Sequence, residues 1–176
     1  MENLKLILPA LLLGTSLACG SKADYLVHQP PPTTPPGLKQ FISGNLIATD
    51  DRTIDLSKDD GLPLVLIFSN DSCSTCAAEA EDIKKTLRIP TQGPTKIHLY
   101  TLLNGAIKAD AVYWKNIHQI PWDVGYDENS TLFMKYCPDH TQIPCTLVQV
   151  PGQGVLLVHQ GQTKIATIVS LTGPWE

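Results

Sequence analysis

The sequence predicts an α/β domain built on a central mixed sheet flanked by helices, with a β-hairpin leading into it. Three observations carry this. LPLVLIFS (62–69) is an almost unbroken apolar run of strand length, as a central strand covered on both faces requires. Strand and helix patterns then alternate, which implies crossovers and partly parallel pairing. The last two strand patterns are separated only by PGQG (151–154), a tight-turn composition that implies an antiparallel edge.

The elements follow in order. FISGNLIATDDRTIDLS (41–57) places Leu46 and Ile47 before a DD turn and Ile54 and Leu56 after it, a hairpin pattern. The central strand comes next. STCAAEAEDIKKTLRI (74–89) is rich in helix formers, with Ile83 and Leu87 spaced i, i+4, and Pro90 and Gly93 provide its stop. TKIHLYTLLN (95–104) reads as a strand and KADAVYWKNIHQI (108–120) as a helix stopped before Pro121. WDVGYD (122–127) is a short strand, and NSTLFMKY (129–136) a short helix capped by its Asn or Ser. PCTLVQV (144–150) and GVLLVHQG (154–161) are the two turn-linked strands. TKIATIVSLTG (163–173) closes the chain as a helix, although its β-branched residues also allow a strand.

Composition sets the outer bounds. The chain has 176 residues, 43% hydrophobic and 17% charged, enough for one domain with a real core and an additional segment. Its net charge is −4. With no long basic run, a nucleic-acid partner is not expected.

The additional segment lies at the N-terminus. Lys5 precedes an apolar stretch from Leu6 to Leu13, followed by small residues and Cys19. The stretch is too short for a permanent membrane helix and reads as a secretory signal. SLAC (16–19) resembles a bacterial lipobox, with Ser16 where that pattern usually has Leu. The resemblance implies cleavage after residue 18 and lipid attachment at Cys19. Acyl chains there would hold the domain at a membrane, since each buried CH₂ contributes roughly 0.8 kcal/mol. Gly20 stands where an Asp would favour inner-membrane retention in lipoprotein sorting signals, which points to the outer membrane of a bacterial envelope. Five prolines between Pro30 and Pro36 exclude a helix or central strand and suit an extended tether. The expected organisation is a signal at 1–18, a lipid-attachment cysteine and tether at 19–40, and the domain at 41–176.

Five cysteines are present: Cys19, Cys73, Cys76, Cys137 and Cys145. With Cys19 assigned to lipid, four remain in a chain bound for a compartment where disulfides persist. They allow three pairings, and proximity favours Cys73–Cys76 and Cys137–Cys145. The first pair opens a helix directly after a buried strand, the thioredoxin-like context of a CxxC. Unpaired N–H groups and the positive dipole end stabilise a thiolate there. Cys73 is therefore the expected nucleophile and Cys76 the resolving thiol.

From about Phe41 onward the chain resembles the TlpA-like group of thioredoxin-fold proteins, exported and membrane-tethered thiol-disulfide oxidoreductases. The matching pieces are the hairpin, LPLVLIFS, CSTCAAE (73–79) and QIPCTLV (142–148). The resemblance implies that Glu79 assists proton movement and that Ile143-Pro144 is a cis peptide lying against the dithiol, exposing a backbone edge to which substrate pairs. It also implies protein thiols or disulfides of the envelope as partners, together with an electron donor, and no cofactor. Departures are Ser72 for the usual aromatic, Ser74-Thr75 with no proline inside the CxxC, and Glu81 where a helix-kinking proline is usual. Ile67 stands where ordinary thioredoxins carry a buried acid.

Other readings stay open beside the enzyme. Glu79 also reads as a solvated residue of the EAED run. Inert disulfides in a thioredoxin-fold binding or structural lipoprotein are the alternative of a different class. A metal-binding chaperone is the third. The C-x₇-C spacing of Cys137 and Cys145 is loose for a structural zinc, and His98, His118, His140 and His159 each stand alone. A Cys137–Cys145 bridge would staple the loop that presents Pro144, and Cys145, beside that proline, is expected near the dithiol, where exchange between the pairs becomes conceivable.

Overall fold

A computed structural model describes residues 40–87 and 96–174. The expected signal, Cys19, most of the tether, and the Pro90 and Gly93 stop lie outside the described residues. Within them, seven strands and four helices run in the expected order: β1 (Asn45–Ala48), β2 (Thr53–Asp55), β3 (Leu64–Ser69), α1 (Ser74–Leu87), β4 (His98–Asn104), α2 (Lys108–Ile117), β5 (Asp123–Asp127), α3 (Thr131–Tyr136), β6 (Cys145–Val150), β7 (Gly154–Gln160) and α4 (Ile165–Thr172). The closing segment is thus a helix. Burial of Ile165 and Ile168 against the sheet outweighs the weak strand preference of its β-branched residues.

The strands form one sheet in the order β2-β1-β5-β4-β3-β6-β7. The βαβ crossovers make β3, β4 and β5 parallel neighbours. β6 joins β3 antiparallel and β7 joins β6 through the PGQG turn. The leading hairpin adds to the far side, β1 antiparallel to β5. β1 and β5 approach so closely that a Cβ on Gly125 would stand 2.7 Å from the Ile47 carbonyl oxygen, so only glycine fits there.

β3 is buried along its whole length, as its apolar run requires. Its alternate residues feed two cores. Val65 and Ile67 face one layer with Ala80 and Ile83 of α1, Trp114 of α2 and Ile168 of α4. Leu64, Leu66 and Phe68 face the other with Ile42, Phe133 and Tyr136 of α3. α1 thus starts at the carboxyl end of a rigid central strand, with its inner face fixed against the sheet.

One expected cap is corrected. Ser130 does precede α3, but at φ 56° it makes no side-chain capping bond. Asp127, at the end of β5, caps instead: its carboxylate accepts the backbone N–H groups of Thr131, Leu132 and Phe133 at 2.8, 2.9 and 3.1 Å. A carboxylate on three otherwise orphaned donors suits the positive end of the helix.

Candidate active site

Cys73 is the last residue before α1, and its carbonyl accepts the Ala77 N–H at 3.1 Å. Cys73 and Cys76 are joined by a disulfide with Cα atoms 5.2 Å apart. The two sulfurs sit in different surroundings. Cys76 is buried at 3% exposure, whereas Cys73 is half-buried and reachable from solvent. The Cys76 backbone N–H donates to Cys73 Sγ at 3.0 Å. In the reduced protein that donor and the helix dipole favour the thiolate at Cys73.

The Ile143–Pro144 bond is cis, and Cys73 Sγ lies 4.0 Å from the Ile143 carbonyl oxygen. The loop that carries this peptide is tied down on its far side. The Asp139 N–H donates to Gln160 Oε1 at 3.0 Å, and Gln160 Nε2 donates to the Asp139 carbonyl. The Gly161 N–H closes onto the Pro144 carbonyl at 2.8 Å. Gln160 and Asp139 were not singled out in the sequence, since polar side chains at a strand end and in a loop carry no distinguishing pattern.

Glu79 is not a solvated residue. It is 1% exposed, on the face of α1 shared by Cys76, Ala80 and Ile83, a spacing of i, i+3, i+4 and i+7. Thr146 Oγ1 donates to Glu79 Oε1 at 2.9 Å. Glu79 Oε2 and the nearby Thr163 Oγ1 have no hydrogen-bond partner among the described residues. Burial pushes the Glu79 carboxyl up to about 7; the Thr146 bond and the proximity of Thr163 oppose that rise, and Asp82 adds slightly to it. A carboxyl balanced near neutrality beside a dithiol is able to take up or release a proton. β3 presents Ile67 directly opposite Thr146, so the acid reaches this strand pair from the helix and not from β3.

Cys137 and Cys145 form the second disulfide, with Cα atoms 6.3 Å apart. It joins the end of α3 to the start of β6, both residues at most 1% exposed. Cys145 belongs to the core layer of α3, whereas the next residue along β6, Thr146, reaches Glu79 of α1. Strand alternation therefore puts Cys145 and Thr146 on opposite faces of β6. Cys73, Cys76, Cys137 and Cys145 are all in bridges, and no cluster of three or more His, Cys, Asp or Glu suited to a metal occurs among the described residues.

No protein-family model and no curated protein sequence matches the chain. Solved structures do match in fold. A candidate protein disulfide isomerase from Bacteroides thetaiotaomicron superposes with a TM-score of 0.68 at 16% identity, over 76% of this chain and 85% of that one. The exposed lipoprotein thioredoxin of Streptococcus pneumoniae gives 0.59 at 19% identity, over 74% and 98%. A secreted disulfide oxidoreductase of Mycobacterium tuberculosis gives 0.58 at 14% identity, over 75% and 93%. The fold is therefore thioredoxin-like, and these structural neighbours are thiol-disulfide oxidoreductases.

Proposed function

We propose that this chain is an exported, lipid-anchored thiol-disulfide oxidoreductase of the TlpA-like kind, acting on disulfides of cell-envelope proteins. The observation that carries the reading is the asymmetry of the Cys73–Cys76 pair: one sulfur half-exposed, held by a helix N-terminal amide and facing a cis-proline loop, the other buried.

In the reducing direction, the Cys73 thiolate attacks a client disulfide. A mixed disulfide forms, and the first client sulfur leaves as thiolate. Cys76 then loses its proton to the Glu79 carboxylate and attacks Cys73 Sγ. The Cys73–Cys76 bond forms, the second client sulfur departs with the electron pair, and two electrons have passed to the client. A dithiol donor of the envelope returns them. The backbone around Ile143 and Pro144 offers the edge on which the client strand pairs. The neighbours' descriptions, one of an exposed lipoprotein and one of a secreted oxidoreductase, support the envelope location, as does the lipobox-like SLAC at Cys19.

The test is a pair of variants. Cys73→Ser should abolish reduction of insulin disulfides, and Cys76→Ser should accumulate mixed disulfides with envelope proteins. Wild-type rates from Cys73→Ser would show that the pair is an inert bridge in a binding protein.

A further inference from the structure

We infer that Thr146 is a positioning residue for the proton-transfer group: its hydroxyl holds Glu79 Oε1 as an acceptor and leaves Oε2 as the oxygen that gains and loses the proton. The inference rests on the proposed dithiol chemistry and assigns a further residue to it. Its basis is geometric. Thr146 is fully buried on β6, and its Oγ1 reaches Glu79 Oε1 at 2.9 Å across 67 residues of sequence. Oε2 has no partner among the described residues although it too is buried. A carboxyl with one oxygen occupied by a donor and one free has its protonation site chosen for it. When Cys76 ionises, its S–H proton passes to Oε2; the protonated carboxyl keeps its bond from Thr146 through the carbonyl-like Oε1.

The surroundings leave few other groups to set this proton. On α1, Asp82 is the neighbouring like charge, and it accepts from Gln162 Nε2 at 3.2 Å. On β3, the residue opposite Thr146 is Ile67. On β7 it is His159. Before α4 come Thr163, whose hydroxyl is unpartnered, and Lys164. Of these, Thr146 holds the carboxyl at 2.9 Å, and Thr163 nearby also favours its charged form. A neutral donor stabilises the carboxylate over the acid, so loss of the hydroxyl raises the midpoint at which Glu79 ionises.

The experiment titrates the Glu79 carboxyl by carbon NMR in the oxidised full chain, the resonance assigned by its loss in Glu79→Gln. Thr146→Val should raise the midpoint by about one pH unit, the scale of a hydrogen bond to a charged group, and Thr146→Ser should restore it. Thr146→Ala serves where the valine variant does not fold. A midpoint unmoved by removal of the hydroxyl, or moved equally by serine, overturns the assignment. The pH profile of exchange with a small aromatic disulfide is recorded on the same proteins. If wild type exchanges and the profile of Thr146→Val does not move, the positioning role fails while the enzyme stands. If the NMR midpoint shifts as expected in a wild type that exchanges nothing, the positioning holds and the oxidoreductase reading fails.

Discussion

Glu79 occupies a place on α1 that its apolar stripe would ordinarily give to alanine or leucine. Its carboxyl is raised from 4.5 to about 7 by burial, and the sign of the consequence is fixed. The unfolded chain releases this proton at lower pH than the folded one, so the folded state binds more protons between pH 4.5 and about 7. Stability from this group is full below the unfolded value and falls as pH rises through the folded one. The whole difference is on the order of 3 kcal/mol. Urea unfolding at pH 4.5 and pH 8 should show wild type losing that much relative to Glu79→Gln; parallel behaviour of the two proteins would contradict the burial of the charge. The position was half legible in the sequence. Cys76, Glu79, Ala80 and Ile83 have the spacing of one helix face, which argues for burial, while the acidic run around Glu79 argues for solvent. Tertiary packing chose the first. Thr146 was not legible at all, because its use depends on which face of β6 looks toward α1.

At the scale of the element, β6 separates two tasks by alternation. Cys145 anchors the strand to α3 on one face, and Thr146 reaches the α1 carboxyl on the other. The loop before it is thus fixed at the Cys137–Cys145 bridge and again by Gln160 on β7. Closing so short a loop contributes about 2 kcal/mol in the chain-entropy account. The paired substitution Cys137→Ala and Cys145→Ala should lower unfolding stability by about that amount and weaken client affinity more than turnover. An unchanged KM would show that the staple does not hold the client-side loop. Element order was read well from periodicity and turn composition, since each segment carries one dominant pattern. The α3 cap was not, because nearby Asn129 and Ser130 have the right side chains and only the left-handed backbone at Ser130 hands the role to Asp127.

At the scale of the molecule, one sheet separates two cores, and the dithiol stands where the central strand β3 gives way to α1. Both relations follow from strand alternation and crossover, so they were implicit in the sequence once strands and helices were ordered. The placement of Cys145 and Thr146 on opposite faces of β6 was not, because it depends on register. If SLAC is a lipoprotein signal, Cys19→Ala should move the protein from the detergent phase to the aqueous phase, and mass spectrometry should find acyl chains on Cys19 of membrane-derived wild type; an unmodified cysteine there contradicts the anchor. The central claim is that the helix-end pair exchanges electrons while the buried pair stays shut. The direct measurement is the reduction potential of each couple, taken by thiol trapping and mass spectrometry across dithiol buffers of graded potential. The account predicts a Cys73–Cys76 couple above about −300 mV and a Cys137–Cys145 couple below it. A Cys73–Cys76 couple that also lies below about −300 mV would make both bridges structural and contradict the account.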